Sequence, residues 1–353
     1  MDLKKVEWEE FEIGEIFEIE KGSNKSLSSE LSQEYSIDYV GATSRNNGNV
    51  GFVNNNYIKY LKNGNCLVFI NTGEGSVGDA VYKKNCFIPS NNVTIGRSKF
   101  LNEYVGQFIV TINNNQSNKY SYGYIRNEKR LKRDKIILPV YQGEPDYTFM
   151  EQFIRQKEKE KLIKYHTYVT KRIEQVKDFT EVEPIENKEW REFFFNEIFT
   201  VIQRGKRLKK EDHVKGLMPY VSSSAINNGV DGFVSNKDSV RIFDNCLSLA
   251  NSGSVGATFF QPFKYVASDH ITKLENTNFN EFIYIFISTI TKRLSEKYSF
   301  NREINDQRIK REKIVLPIDK KGKPDYVYME NYIKKKEYEK LTKYIEGKTT
   351  NIY

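Results

Sequence analysis

From 145 to 177, apolar side chains recur as Met150, Phe153, Ile154, Leu162, Tyr165, Val169, Ile173 and Val176 among Lys, Glu and Gln. That three-to-four spacing predicts an amphipathic helix. No Gly or Pro interrupts it after Pro145. About 30 residues at roughly 1.5 Å per residue make a rod on the order of 45 Å long. The pattern returns after Pro324, with Met329, Tyr332, Ile333, Leu341, Tyr344 and Ile345. Upstream of each rod the period shortens. Runs at 13–19, 66–70, 80–82 and 92–95 read as β-strands separated by Gly, Asn and Ser turns. One amphipathic helix follows late in each stretch, near 100–113 and 279–294, and a closing strand at 135–139 or 313–317 leads into the rod.

These two halves are one unit written twice. Trp8-Glu9-Glu10-Phe11 aligns with Trp190-Arg191-Glu192-Phe193, and Glu15-Ile16-Phe17 with Glu197-Ile198-Phe199. Asn46-Asn47-Gly48 matches Asn227-Asn228-Gly229, Asn65-Cys66-Leu67 matches Asn245-Cys246-Leu247, and Gly75-Ser76-Val77-Gly78 matches Gly253-Ser254-Val255-Gly256. So many matches in one order make a duplication. The organisation expected is α+β, a tandem duplication: a β-rich domain at 1–144, a long helix at 145–177, a polar linker at 178–189, a second domain at 190–323 and a second helix at 324–348. The Asn-Asn-Gly steps predict tight turns, since Asn and Gly tolerate positive φ.

Composition narrows the function classes. The 55 Lys+Arg against 47 Asp+Glu leave a formal charge of +8, which permits an anionic partner without demanding one. Cys66, Cys86 and Cys246 form neither a CxxC pair nor an even framework, so neither a disulfide scaffold nor a zinc site is expected. The start lacks the apolar core of a signal peptide, and no apolar run approaches the roughly 20 residues that span a bilayer. A reduced, cytoplasmic protein is expected.

Catalytic motifs find little support. Gly73 to Gly78 satisfies GxGxxG, but a strand-like segment follows where a dinucleotide site needs a helix, so a tight hairpin is expected. Pro145-Asp146 and Pro324-Asp325 evoke a nuclease motif, yet both open helices, where capping explains Asp. No GxxxxGK[ST] loop is present, nor the Asn/Asp-Pro-Pro-aromatic motif of an amino-methyltransferase. Of three histidines, His166 lies on the rod, His213 in a loop, and His270 follows Ser268-Asp269, whose counterpart is Ser90-Asn91-Asn92.

Nucleic-acid contacts have better candidates. Lys21, Lys25, Lys119, Arg126, Lys129, Arg130 and Arg133 can meet phosphates, with Arg204, Lys206, Arg207, Lys297, Arg302, Arg308 and Arg311 as approximate counterparts. Ser44, Arg45, Asn46, Asn71, Thr72, Asn91 and Asn92 are placed to read base edges, answered by Ser222, Ser223, Asn227, Asn251, Ser252, Asp269 and His270. Framework glycines and apolar residues recur while many of these polar positions differ, as one scaffold reading two sequences would require. A scaffold protein, or a nuclease or methyltransferase acting alone, are the other readings.

The pattern resembles the specificity subunit of Type I restriction–modification systems, including those of the BcgI-like type. The residues that carry it are Tyr39-Val40-Gly41-Ala42-Thr43 with Asn47-Gly48 and Gly51-Phe52, then Gly75 to Gly78, Ile88-Pro89-Ser90 and Leu131-Lys132-Arg133, together with their second copies. The resemblance implies two target-recognition domains, each reading half of a bipartite site in double-stranded DNA. It implies that the rods pack antiparallel, set the spacer and dock methyltransferase subunits. S-adenosylmethionine would then bind the methyltransferase partner and no cofactor this chain; cleavage would belong to a restriction subunit. The rods depart from the family pattern in carrying Lys at positions expected to look inward, such as Lys157 and Lys336.

Overall fold

A computed structural model of the chain describes residues 1–22, 26–73, 75–121, 123–299 and 301–348. It divides into two compact units, Met1–Tyr165 and His166–Tyr353.

In the first unit the strands are β1 (Trp8–Glu12), β2 (Glu18–Lys21), β3 (Ile37–Val40), β4 (Asn49–Val53), β5 (Cys66–Ile70), β6 (Ala80–Lys83), β7 (Ile88–Pro89), β8 (Val93–Arg97), β9 (Lys135–Tyr141) and β10 (Glu144–Pro145). The helices are α1 (Ile13–Ile16), α2 (Glu103–Asn114), α3 (Glu128–Arg133) and α4 (Tyr147–Val176), the last from His166 on belonging to the second unit. An antiparallel sheet runs β2-β8-β5-β6, a second runs β4-β3-β7 with β3 and β7 parallel, and β1-β9-β10 form a third. Strand β5 shows how the sequence builds this. All five of its residues are buried, so it reads as a continuous apolar run instead of an alternation. Its side chains still alternate. Leu67 and Phe69 join α2, α1 and Met150 in one core, while Cys66 and Val68 join Val40, Phe87 and Ile95 in another.

The second unit repeats the plan with β11 (Trp190–Phe194), β12 (Val201–Arg204), β13 (Lys215–Val221), β14 (Val230–Val234), β15 (Ile242–Phe243), β16 (Cys246–Ala250), β17 (Thr258–Gln261), β18 (Tyr265–Ala267), β19 (Ile271–Glu275) and β20 (Lys313–Pro317). Its helices are α5 (Phe195–Ile198), α6 (Glu281–Thr291), α7 (Asp306–Lys310) and α8 (Tyr326–Lys348). The sheets run β12-β19-β16-β17, β14-β13-β18-β15 and β11-β20. Leu247 and Leu249 face one core, Cys246 and Ala250 the other.

The run at 13–19, expected as a strand, begins instead with a helical turn. The Glu15 carboxylate accepts from the Glu12 N–H at 2.9 Å and caps it, as Glu197 does for Phe194 at 2.6 Å. The segment from Gly75 to Gly78 is the predicted turn between β5 and β6, closed by Gly78 N–H to Ile70 C=O at 3.0 Å, and no helix follows. Asn46, Asn47 and Gly48 have φ of 49°, 52° and 79°, and Asn227, Asn228 and Gly229 repeat that left-handed geometry.

Both long helices are capped by the aspartates that followed proline. Asp146 accepts from Phe149 N–H at 2.8 Å and Asp325 from Tyr328 N–H at 2.9 Å. Within the second unit, the end of α4 and the segment after it run antiparallel to α8. Arg172 makes a two-pronged pair with Glu337 at 2.6 and 2.9 Å, Phe179 meets Tyr338, and the Tyr328 hydroxyl donates to Glu183 C=O at 3.2 Å. Lys188 closes the run on Asp325 at 2.8 Å. Arg172 also reaches Glu281 at 2.9 Å, tying α4 to the N-terminus of α6. Lys157 and Lys336 do not look inward: both are exposed and pair along their own helices with Glu160 and Glu339. Among the described residues no helix is long and apolar enough to cross a membrane.

Candidate nucleic-acid interface

One turn is built identically in both units and carries different side chains. In the first unit it is Ser90-Asn91-Asn92, between β7 and β8; in the second it is Ser268-Asp269-His270, between β18 and β19. The serine hydroxyl caps the turn, accepting from Asn92 N–H at 3.3 Å and from His270 N–H at 3.0 Å. The asparagine directly after β5 or β16 braces it. Asn71 N–H donates to Asn92 C=O at 3.0 Å, and Asn251 N–H to His270 C=O at 2.9 Å. Their side-chain amides donate to Thr94 and Thr272 hydroxyls at 2.8 and 3.1 Å. A glycine presses against the serine carbonyl from the third side. A Cβ at Gly22 would lie 2.1 Å from Ser90 O, and one at Gly205 would lie 2.0 Å from Ser268 O. The two residues after each serine therefore project from a fixed frame.

Around this turn the structure gathers some of the expected residues. Lys21, Asn71, Thr72, Asn91 and Lys129 line one cleft of about 720 Å³, joined by Lys132, which pairs with Glu128 at 2.9 Å. In the second unit Arg207, Ser222, Asp269 and His270 share a cleft of about 360 Å³ with Lys209, Lys210, His213 and Asp231. The doubled lysine at 209–210 was the legible sign of that basic wall. Lys21 lies 3.7 Å from Glu128, and Arg204 donates to Asp269 C=O at 2.5 Å. Asn92, Lys206, Arg133 and Arg311 are exposed. Arg45 and Asn46 are exposed on the Asn-Asn-Gly turn, as Asn227 is on its twin. Ser44 is half-buried and hydrogen-bonds Ser76, and Ser223 is half-buried at the Gly253 turn. Arg302 lies over the Tyr298 ring; Arg130 and Arg308 bond back to Ile125 C=O and Glu303 C=O. Lys25 lies outside the described residues.

Four expected contacts need correction. Arg126 is not at the surface: its side chain is 2% exposed, with Nε donating to Asp134 at 2.7 Å and Nη1 to Gly78 C=O at 2.7 Å. Asp134 also accepts from the Tyr120 hydroxyl at 2.7 Å and pairs with Lys119 at 3.1 Å. Arg126 is thus a structural pin, and Lys119 is committed to the same carboxylate. Asn251 and Ser252 are buried as well. Asn251 braces the turn, and the Ser252 hydroxyl is hydrogen-bonded to His270 Nδ1.

In the second unit Ile304 stands where Arg126 does, each N–H donating to the bracing asparagine's carbonyl. Glu312 takes the place of Asp134 and reaches Lys297 at 2.8 Å and the Tyr298 hydroxyl. Burial alone would raise the Glu312 pKa, but hydrogen bonds from Lys297, Tyr298 and the Lys313 N–H outweigh it and leave the carboxyl below its ordinary value. A depressed pKa contributes stability above the unfolded value near 4.5 that is lost as pH falls through the folded value. Glu312→Gln should therefore flatten the acid limb of the stability curve below about pH 4.5, read by denaturant titration at several pH values.

Burial pushes the Cys66 and Cys246 thiols up to about 11, which keeps them neutral and poor nucleophiles. Among the described residues no three His, Cys, Asp or Glu side chains converge to hold a metal.

Comparison with known proteins agrees with this geometry. The family model described as the Type I restriction modification DNA specificity domain matches residues 5–165 and again 187–346. Over 233 residues the chain is 31% identical to the specificity subunit S.BcgI of a Type II restriction enzyme from Heyndrickxia coagulans, a match spanning 65% of this chain and 66% of that protein. The crystal structure of the Type-I restriction–modification S subunit from M. genitalium shares the fold, at a TM-score of 0.54 and 16% identity, covering 99% of this chain and 94% of that one. With its matching model laid down twice over most of its length, the chain belongs to the family of Type I restriction–modification DNA specificity subunits.

Proposed function

We propose that each unit reads one half of a bipartite site in double-stranded DNA, and that the long helices set the spacing between halves and dock the methyltransferase subunits. As a member of its family the chain is a DNA sequence-specificity subunit, the targeting component and not the catalytic one. On this reading S-adenosylmethionine is held by the methyltransferase partner, and cutting, where it occurs, by a restriction subunit. The work is done beside the chromosome, in the cytoplasm.

The observation that carries the proposal is the turn built twice. Ser90 and Ser268, Asn71 and Asn251, and Gly22 and Gly205 make the same frame, whereas the projecting pair changes from Asn-Asn to Asp-His. Selection for stability alone gives no reason to keep the frame and vary only what projects from it. Lys21, Lys129 and Lys132 beside the first turn, and Arg207, Lys209 and Lys210 beside the second, supply phosphate contacts that position a duplex without specifying its sequence.

The test is an exchange. Residues 1–144 are replaced by the corresponding domain of a relative with a different target, and the methylated motifs of the host are mapped by long-read sequencing. One half of the split motif should change and the other persist. A change in both halves would refute independent readout, and no split motif in the parent strain would refute the assignment itself.

A further inference from the structure

We propose that Asp269 selects a cytosine in the half-site read by the second unit, an inference that rests on the DNA-reading role just proposed. Asp269 stands where the first unit has Asn91, directly after the capping serine of the shared turn. Its backbone is clamped, because its carbonyl accepts from Arg204 Nε at 2.5 Å and from the Asn251 amide at 3.3 Å. Its side chain is 26% exposed and lines the cleft with Arg207, Ser222 and His270. Among the described residues no Lys or Arg pairs with this carboxylate. Its contacts are the Ser268 hydroxyl at 3.4 Å and His270 Nε2 at 3.9 Å. The Arg204 guanidinium is committed to the backbone oxygen instead.

An unneutralised carboxylate on a basic face is repelled by approaching phosphates. It is tolerated there when it accepts a hydrogen bond from a base. Of the four bases in the major groove, guanine offers acceptors at N7 and O6, and thymine an acceptor at O4. Adenine offers its N6 amino group beside the N7 acceptor, which sets a lone pair against a carboxylate. Cytosine alone presents the N4 amino donor with no acceptor next to it on the same base. The acid therefore favours cytosine, and the Asn91 amide at the same place in the first unit, with a donor and an acceptor, suits adenine.

Asp269→Asn makes the test clean, since Asn91 shows that the turn accepts an amide. The full-length chain, tagged and purified from its host with the subunits that accompany it, is used to select from a randomised duplex library, and the bound DNA is sequenced. Wild type should enrich a two-part motif with cytosine at one position of one half. D269N should lower the cytosine preference at that position by about 5- to 150-fold, shift it toward adenine, and leave the other half unchanged. Asp269→Ala should lose the preference without gaining adenine. A merely structural role would weaken binding to all sequences alike and leave the motif intact, and that outcome overturns the proposal. So does a wild-type motif with no cytosine altered by either variant. Failure of the wild-type protein to enrich any two-part motif overturns the DNA-reading role first, and this inference with it.

Discussion

Arg126→Ala should destabilise the first unit by about 3–5 kcal/mol, the cost of breaking a buried ion pair and leaving Asp134 with Lys119 and the Tyr120 hydroxyl alone. The guanidinium joins four things at once. It pairs with Asp134, donates to Gly78 C=O in the turn after β5, and lies 5.1 and 5.4 Å from the centroids of the Phe69 and Tyr120 rings. Asp134 in turn accepts Ile13 N–H through its carbonyl at 2.8 Å, so the pin also seats α1. Denaturant unfolding should show an early transition for the variant, with the transition of the second unit in place. The twin supplies the control. Ile304 with Glu312 does without the arginine: the acid is held by Lys297 and the Tyr298 hydroxyl, the counterparts of Lys119 and Tyr120 at Asp134. The double variant R126I/D134E should accordingly recover part of what R126I loses. Equal stability of R126A and wild type would show the pair to be dispensable. Loss of DNA binding without loss of stability would return Arg126 to the role of a phosphate contact.

Gly205→Ala should damage recognition as strongly as R126A damages stability. Its new Cβ would sit 2.0 Å from Ser268 O and 2.6 Å from Ala267 O, both backbone atoms that cannot swing away. The turn must move to admit it, at roughly 1–3 kcal/mol for an overpacked site. Asp269 and His270 move with the turn, so discrimination at the bases they read should fall by about 5- to 150-fold while phosphate-driven, non-specific binding persists. Competition binding between specific and random duplex, at two salt concentrations, measures both quantities. Gly22→Ala should do the same to the other half-site, its Cβ being 2.1 Å from Ser90 O and 2.8 Å from Val93 O. If either variant keeps full discrimination, the frame is less rigid than its contacts imply.

Local chemistry determined much of this protein, and so it was legible in the chain. The duplication showed as ordered matches. The strand at Cys66–Ile70 showed as an apolar run, the long helices as a 3.6-residue rhythm after a capping aspartate, and the Asn-Asn-Gly turns as residues that accept positive φ. The helical turn at Ile13–Ile16 is hidden in the chain because its β-branched residues favour strand, whereas a single cap from Glu15 decides otherwise. The candidate interface was half visible. The variable pair after Ser90 and Ser268 stood out by comparing the two copies, but the basic residues did not sort themselves.

Arg126 and Lys129 look alike in a charged stretch. Only the folded chain, by bringing Gly78, Tyr120 and Asp134 around one of them, makes the first a buried pin and leaves the second at the cleft. Likewise the sequence by itself marked Asn251 as a polar loop residue, and the tertiary structure turned it inward to brace the turn that holds Asp269. The physical reason is common to both. Propensity, capping and periodicity are set by neighbours a few residues away, whereas burial of a charge or an amide is decided by partners distant in sequence whose approach depends on the whole fold.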